Sequence, residues 1–165
     1  MCKIFMTILG IDPGSARIGY GIIEGKRDLG LIACGVIQVK KKGIKPHELA
    51  EKIADELAGL IKKYKPEMAG VEKIFFSKNV KTGIEVAQMR GAIILELARH
   101  KIPVREFSPS EIKLSVTGYG FADKKSVSKM VSKFLNCGEL KELDDASDAL
   151  AIAIAASRPE TWKSY

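Results

Sequence analysis

The spacing of apolar positions changes along the chain, and each change predicts an element. Ile8, Leu9 and Ile11 form a short, partly β-branched run bounded by Asp12, Pro13 and Gly14. That length and that boundary predict a buried strand over residues 6–12 with turn chemistry after it. A second run covers residues 18–24, a polar reversal covers 25–28, and a third run covers 29–39. Three strands with connections this short predict an antiparallel meander with one long strand at or near an edge.

From residue 46 the period lengthens. Leu49, Ile53, Leu57, Leu60 and Ile61 recur every three or four positions, opposite Glu48, Glu51, Lys52, Asp55 and Glu56. This is an amphipathic helix over residues 46–64, and Pro66 stops it. Lys62, Lys63 and Lys65 sit late in it, where the helix dipole favours cations, so they need no ligand to explain them. Residues 68–71 then read as a fourth strand running into Glu72. Residues 73–79 form a loop with two aromatics among lysines, and residues 81–100 form a second helix. Gly91 inside that helix costs about 1 kcal/mol relative to Ala, which predicts close packing against a neighbour there. Residues 102–107 read as a fifth strand. Ser108, Pro109 and Glu111 are a helix-start signature with a capping box, and that short helix ends at the turn over residues 118–120. Further helices follow over 124–135, with Val127, Met130, Val131 and Phe134 inward, and over 145–157, stopped by Pro159.

Length and charge narrow the partners. The 165 residues suit one domain, with a short extension at residues 1–5 and a frayed tail at 159–165. A formal net charge of +7 favours an anionic partner such as nucleic acid or an acidic membrane surface. The basic run at residues 40–45 fits a solvated loop or a phosphate contact. Cys2, Cys34 and Cys137 are scattered, without zinc-type spacing, as expected of free thiols in a reducing cytoplasm. The opening residues lack a signal-peptide pattern, and the longest late apolar run, residues 149–156, falls far short of the ~20 residues a bilayer requires.

The acids carry the chemistry. Asp12 and Glu72 each end a predicted buried strand, and Asp145 and Asp148 lie on one face at the start of the last helix. Asp12, Asp145 and Asp148 each have a local alternative. Asp12 before Pro-Gly can open an Asx-turn, and Asp145 with Asp148 can cap a helix. If all four converge, two like charges ~4 Å apart repel by roughly 4 kcal/mol at an effective dielectric near 20. Such a cluster must be protonated or neutralised by cations, and oxygen-only donors select Mg²⁺ or Mn²⁺. Two ions of this kind, ~4 Å apart, clamp a phosphate and activate water, which is nuclease chemistry.

The stretches GIDPGSARIGYG, VEKIFFSKN, MRGAI and DDASDALAIA, in this order, resemble the RuvC family of Holliday-junction endonucleases within the RNase H-like fold. The likeness spans nearly the whole chain. It implies an α/β fold with a five-stranded mixed sheet, three antiparallel strands then parallel ones, flanked by helices. It implies a homodimer that makes symmetric cuts in four-way DNA, working with a branch-migration motor. It places two Mg²⁺ ions, with Mn²⁺ as a substitute, on Asp12, Glu72, Asp145 and Asp148. Some relatives carry His at the position of Asp145, so this is the all-carboxylate version, and His47 and His100 are expected at the surface. By the same resemblance Phe75 would stack on a base, Lys113 and Lys124 would lie near the scissile phosphate, and the helix with Arg90 and Gly91 would help form the dimer. Other readings remain. A phosphate-binding domain of the actin and sugar-kinase type needs two such domains, and this chain also lacks the G-x-x-x-x-G-K-[ST] phosphate loop. A non-cutting junction-binding module would not need four acids. A related nuclease acting on RNA or on other branched DNA is the remaining alternative.

Overall fold

The structure is a computed structural model that describes residues 5–26, 28–74, 80–138 and 144–159. Its strands are β1 (Met6–Asp12), β2 (Arg17–Gly25), β3 (Leu29–Gln38), β4 (Met68–Glu72) and β5 (Val104–Phe107). Its helices are α1 (Pro46–Tyr64), α2 (Val80–Arg99), α3 (Pro109–Thr117), α4 (Lys124–Phe134) and α5 (Asp144–Ser157). The strand order is β3-β2-β1-β4-β5, with the first three strands antiparallel and β4 and β5 parallel to β1. The meander is therefore present, and the long β3 is at the edge as expected.

Strand alternation sorts side chains onto two faces. Leu9 and Ile11 of β1, with Ala69 and Val71 of β4, pack against α1 and α2 around Leu49, Ile53, Leu57, Met89, Ile93 and Leu97. Ile8 faces the other way, towards α3, α4 and α5. By the same alternation Gly10 and Asp12 share that second face, as do Gly70 and Glu72.

The last helix differs most from an ordinary surface helix. Ten of its fourteen residues are buried. It crosses the sheet so closely that a Cβ on Gly10 would fall onto the backbone carbonyl of Ala149, and one on Gly19 onto that of Asp145. Alanine-rich sequence on the helix and glycine on the strands make that approach possible.

Several boundaries move for local reasons. β5 begins two residues later than its apolar run, because Ile102 donates its N–H to Leu97 and closes the end of α2, with Lys101 at φ 56°. β3 carries a bulge where pairing shifts between Ile22 and Ile23, which leaves Ile32 without a register partner and exposed. α3 starts as its sequence demands: the Ser108 hydroxyl accepts from Glu111 N–H while the Glu111 carboxylate accepts from Ser108 N–H. α5 begins at Asp144, so Asp145 lies inside the first turn and is not the residue that caps it. His47 is exposed, but His100 is half-buried, with its ring nitrogen 3.0 Å from the buried Glu96 carboxylate. The basic run is not simply solvated either. Lys41 donates to the Ser15 hydroxyl at 2.8 Å and to Glu85 at 2.7 Å, tying the turn after Asp12 to α2.

Candidate active site

Parallel pairing decides where two of the acids lie. Ile11 of β1 is opposite Val71 of β4, so the next residues, Asp12 and Glu72, leave the same end of the sheet on the same face. α5 delivers its first turn to that end, because Gly19, the register partner of Asp12, lies directly beneath Asp145. Asp12, Glu72 and Asp148 accordingly line one cleft of about 290 Å³, with Lys113 of α3 and Lys124 of α4 among its walls. Asp145 does not line that cleft. The Arg17 guanidinium holds it alongside, donating from Nε at 3.0 Å and approaching with its second nitrogen at 2.9 Å.

The electrostatics match the placement. Burial pushes the Asp12 carboxyl up to about 7, and the nearby charges of Glu72, Asp148 and Asp145 push it the same way. Glu72 is raised as well, by burial first and then by Asp148. Lys124 bridges two acids of α5, at 3.1 Å from Asp148 and 3.4 Å from Asp144. Burial works against its ammonium, but those two bonds prevail and hold its pKa above the ordinary lysine value. Among the described residues no ion pair or hydrogen bond reaches the carboxylate oxygens of Asp12 or Glu72. Negative charge is in excess at the floor of the cleft.

That excess, offered by carboxylates with no His or Cys in the cleft wall, fits a hard divalent cation. As the side chains stand, no group of three His, Cys, Asp or Glu among the described residues is close enough to hold an ion. Arg17 pairs with Asp145 and Lys124 with Asp148, so both of these α5 carboxylates are engaged by cationic side chains.

Two positioning residues are not evident from the sequence. Arg17 reads as an ordinary strand residue, and the one signal for it is an Arg just after the Asp-Pro-Gly turn, a side chain suited to forking a carboxylate. Arg90 lies on α2, the helix that the resemblance links to the dimer, and its side chain turns inward. Its Nε donates to the main-chain carbonyl of Glu72 at 3.1 Å, and its terminal nitrogen pairs with Glu106 at 2.7 Å, which braces the end of β4. Phe75 lies outside the described residues.

A five-stranded mixed sheet of this order, with helices on both faces, is the RNase H-like architecture. Residues 8–156 match the family described as crossover junction endodeoxyribonuclease RuvC, and the chain belongs to that family. Curated relatives of that description include one from Prochlorococcus marinus strain NATL2A, 47% identical over 152 residues, covering 90% of this chain and 96% of the relative. Another, from Fusobacterium nucleatum, is 43% identical over 150 residues, covering 90% of this chain and 78% of the relative. Thermus thermophilus RuvC, solved in complex with a Holliday junction substrate, superposes with a TM-score of 0.84 at 27% identity, covering 91% of this chain and 92% of that one. The yeast mitochondrial Holliday junction resolvase shares the fold at a TM-score of 0.63 and 16% identity, covering 94% of this chain and 82% of that one.

Proposed function

We propose that the chain resolves four-way DNA junctions by symmetric paired incision, hydrolysing a phosphodiester in each of two strands with Mg²⁺. The observation that carries this reading is the cleft itself: Asp12, Glu72 and Asp148 converge under two lysines on a protein of net charge +7. Relatives described as crossover junction endodeoxyribonucleases support the substrate class. When bound, two divalent cations would supply Lewis acidity and an activated water. Asp12, Glu72, Asp145 and Asp148 would hold them, with Mn²⁺ an acceptable substitute. Lys113 and Lys124 bind and orient the phosphate. Phe75 is assigned to stacking on a base at the branch point.

Cleavage of a synthetic four-way junction and of a linear duplex, each with and without Mg²⁺, tests the reading. Paired nicks in the junction alone, and only with the cation, are expected. Equal cutting of linear duplex, or preference for an RNA strand, would favour the related-nuclease alternative.

Symmetric incision requires two active sites, and α2 offers the surface for a homodimer. Ile84 and Leu95 are large apolar residues exposed on it, and among the described residues nothing beyond the adjoining residues and backbone of α2 itself comes within 4 Å of where a Gly91 side chain would stand. Gly91 thus permits approach of a neighbour outside this chain rather than within it. Leu95→Glu is expected to yield a monomer in sedimentation, with paired cutting lost while binding of the junction weakens. A Leu95→Glu protein that stays dimeric would move the interface elsewhere. A branch-migration motor is assigned as a further partner, and the work is placed with DNA in the cytoplasm; no described helix is long and apolar enough to cross a membrane.

A further inference from the structure

The loop between α3 and α4 exposes two aromatic rings that the acid cleft does not use. Tyr119 is 61% exposed and Phe121 83% exposed, more than any other large hydrophobic residue among those described. Their ring centroids are 5.8 Å apart and the ring planes are tilted by 58°, so the two rings are not stacked face to face on each other. A ring left in water forgoes the ~1.5–3 kcal/mol that full burial of a Phe returns.

The loop is nevertheless held in place. The Thr117 hydroxyl donates to the carbonyls of Lys113 and Tyr119 and accepts from Tyr119 N–H. Gly118 takes the left-handed conformation at φ 78° that ends α3, and Ala122 N–H returns to the Tyr119 carbonyl. Asp123 then caps α4 by accepting from Ser126 N–H. The rings stand out from a built turn.

Their surroundings define what would cover them. The rings border a second cleft, about 900 Å³, whose remaining walls include Met130, Lys129 and Lys133. Lys113 and Lys125 act on Asp123 in the same loop. Lys113 of α3 and Lys124 at the start of α4, on either side of this loop, line the acid cleft as well. Lysines therefore line both the acid cleft and the cleft beside the rings. Two open π-faces within a lysine surround suit a polyanion that also carries flat apolar rings, which is single-stranded or splayed DNA. An acidic protein segment would satisfy the lysines and leave the rings without stacking partners.

We infer that Tyr119 and Phe121 form a base-stacking ledge, separate from the acid cleft, that grips an unpaired base of the DNA strand passing from that cleft. This rests on the junction-resolving reading, and the test separates the two. Binding is measured in EDTA to a synthetic four-way junction with 2-aminopurine at unpaired positions beside the branch point, and to a linear duplex. The parent, Tyr119→Ser/Phe121→Ser, and Tyr119→Trp/Phe121→Trp are compared. Stacking worth ~1–3 kcal/mol per base predicts that the serine variant loses junction affinity by about 5-fold or more and loses 2-aminopurine quenching. The tryptophan variant should restore both. Duplex affinity and the slope of binding against salt should not change, because no cation has been removed. A serine variant that binds and quenches like the parent overturns the ledge and leaves the junction reading standing. So does an equal loss on duplex, or a change in oligomeric state, which would mark the rings as a protein contact. A parent that shows no preference for the junction overturns both.

Discussion

Asp12→Asn is expected to abolish cleavage of four-way junctions while the variant still binds them and melts at a higher temperature than the parent in cation-free buffer at pH 8. The three effects share one cause. Asp12 lies at the floor of the cleft, facing Glu72 and Asp148, and its carboxyl is raised from 3.8 to about 7. An unfolded chain releases this proton near 3.8, while the folded chain keeps it until about 7. The folded state therefore binds more protons across that interval, and the contribution of Asp12 to stability falls as pH rises through it. Above about pH 7 the fold carries the full cost of an ionised Asp12 among like charges. Asn has the same shape and cannot ionise, so its advantage over Asp is present at pH 8 and shrinks towards about pH 4. The catalytic loss comes from the same substitution. Metal clamping of a transferring phosphate is worth several kcal/mol, so losing one ligand should cost at least about 10³-fold in rate. Asp148→Asn should behave alike in cleavage. Thermal melts at pH 5 and pH 8, with and without Mg²⁺, provide the check that activity alone does not. Mg²⁺ should raise the melting temperature of the parent at pH 8 and leave that of the Asp12→Asn variant unmoved. A variant that still cuts, or a parent insensitive to Mg²⁺, would remove Asp12 from a metal site.

Much of this geometry is legible in the residues because it follows from short-range rules. A β-branched run ending on an acid before Pro-Gly describes β1, and period-2 alternation from Leu9 and Ile11 already places Asp12 on the opposite face from them. The capping box at Ser108 and the staggered apolar stripe of α1 are equally local. What depends on distant contacts is not legible. The grip of Arg17 on Asp145 spans 128 positions in the chain, and no periodicity reports it. The inward turn of Arg90 is hidden because its neighbour Gly91 faces out, and the exposed side of the helix dominates its pattern. Tyr119 and Phe121 look in sequence like any turn aromatics, and only their exposure sets them apart. The capping alternative for Asp145 fails by one residue of helix boundary, a margin below what propensity resolves.

Alanine at Gly10 and alanine at Gly19 should damage the protein in opposite ways, although both glycines lie under the same helix. At Gly10 the new Cβ would fall on the Ala149 carbonyl and close to the backbone of Ala153. Those atoms belong to the middle of α5, which is buried on all sides and carries much of the core on that face of the sheet. Backbone there yields only if the whole helix lifts, so the expected cost is about 3 kcal/mol or more. In a protein of this size that lowers the melting temperature by about 6–12 °C. The surviving folded fraction should still cut at close to the parent rate. At Gly19 the obstruction is the Asp145 carbonyl, in the first turn. Helix ends open at little cost, so stability should fall by only about 1 kcal/mol. The displaced turn, however, carries Asp145 and leads directly into Asp148, and a shift near 1 Å in groups that position a reaction can cost about 10²-fold. Melting curves and single-turnover cleavage on the two variants distinguish these outcomes. If Gly19→Ala melted early and cut normally, the first turn of α5 would be a structural support and not the carrier of half the acids.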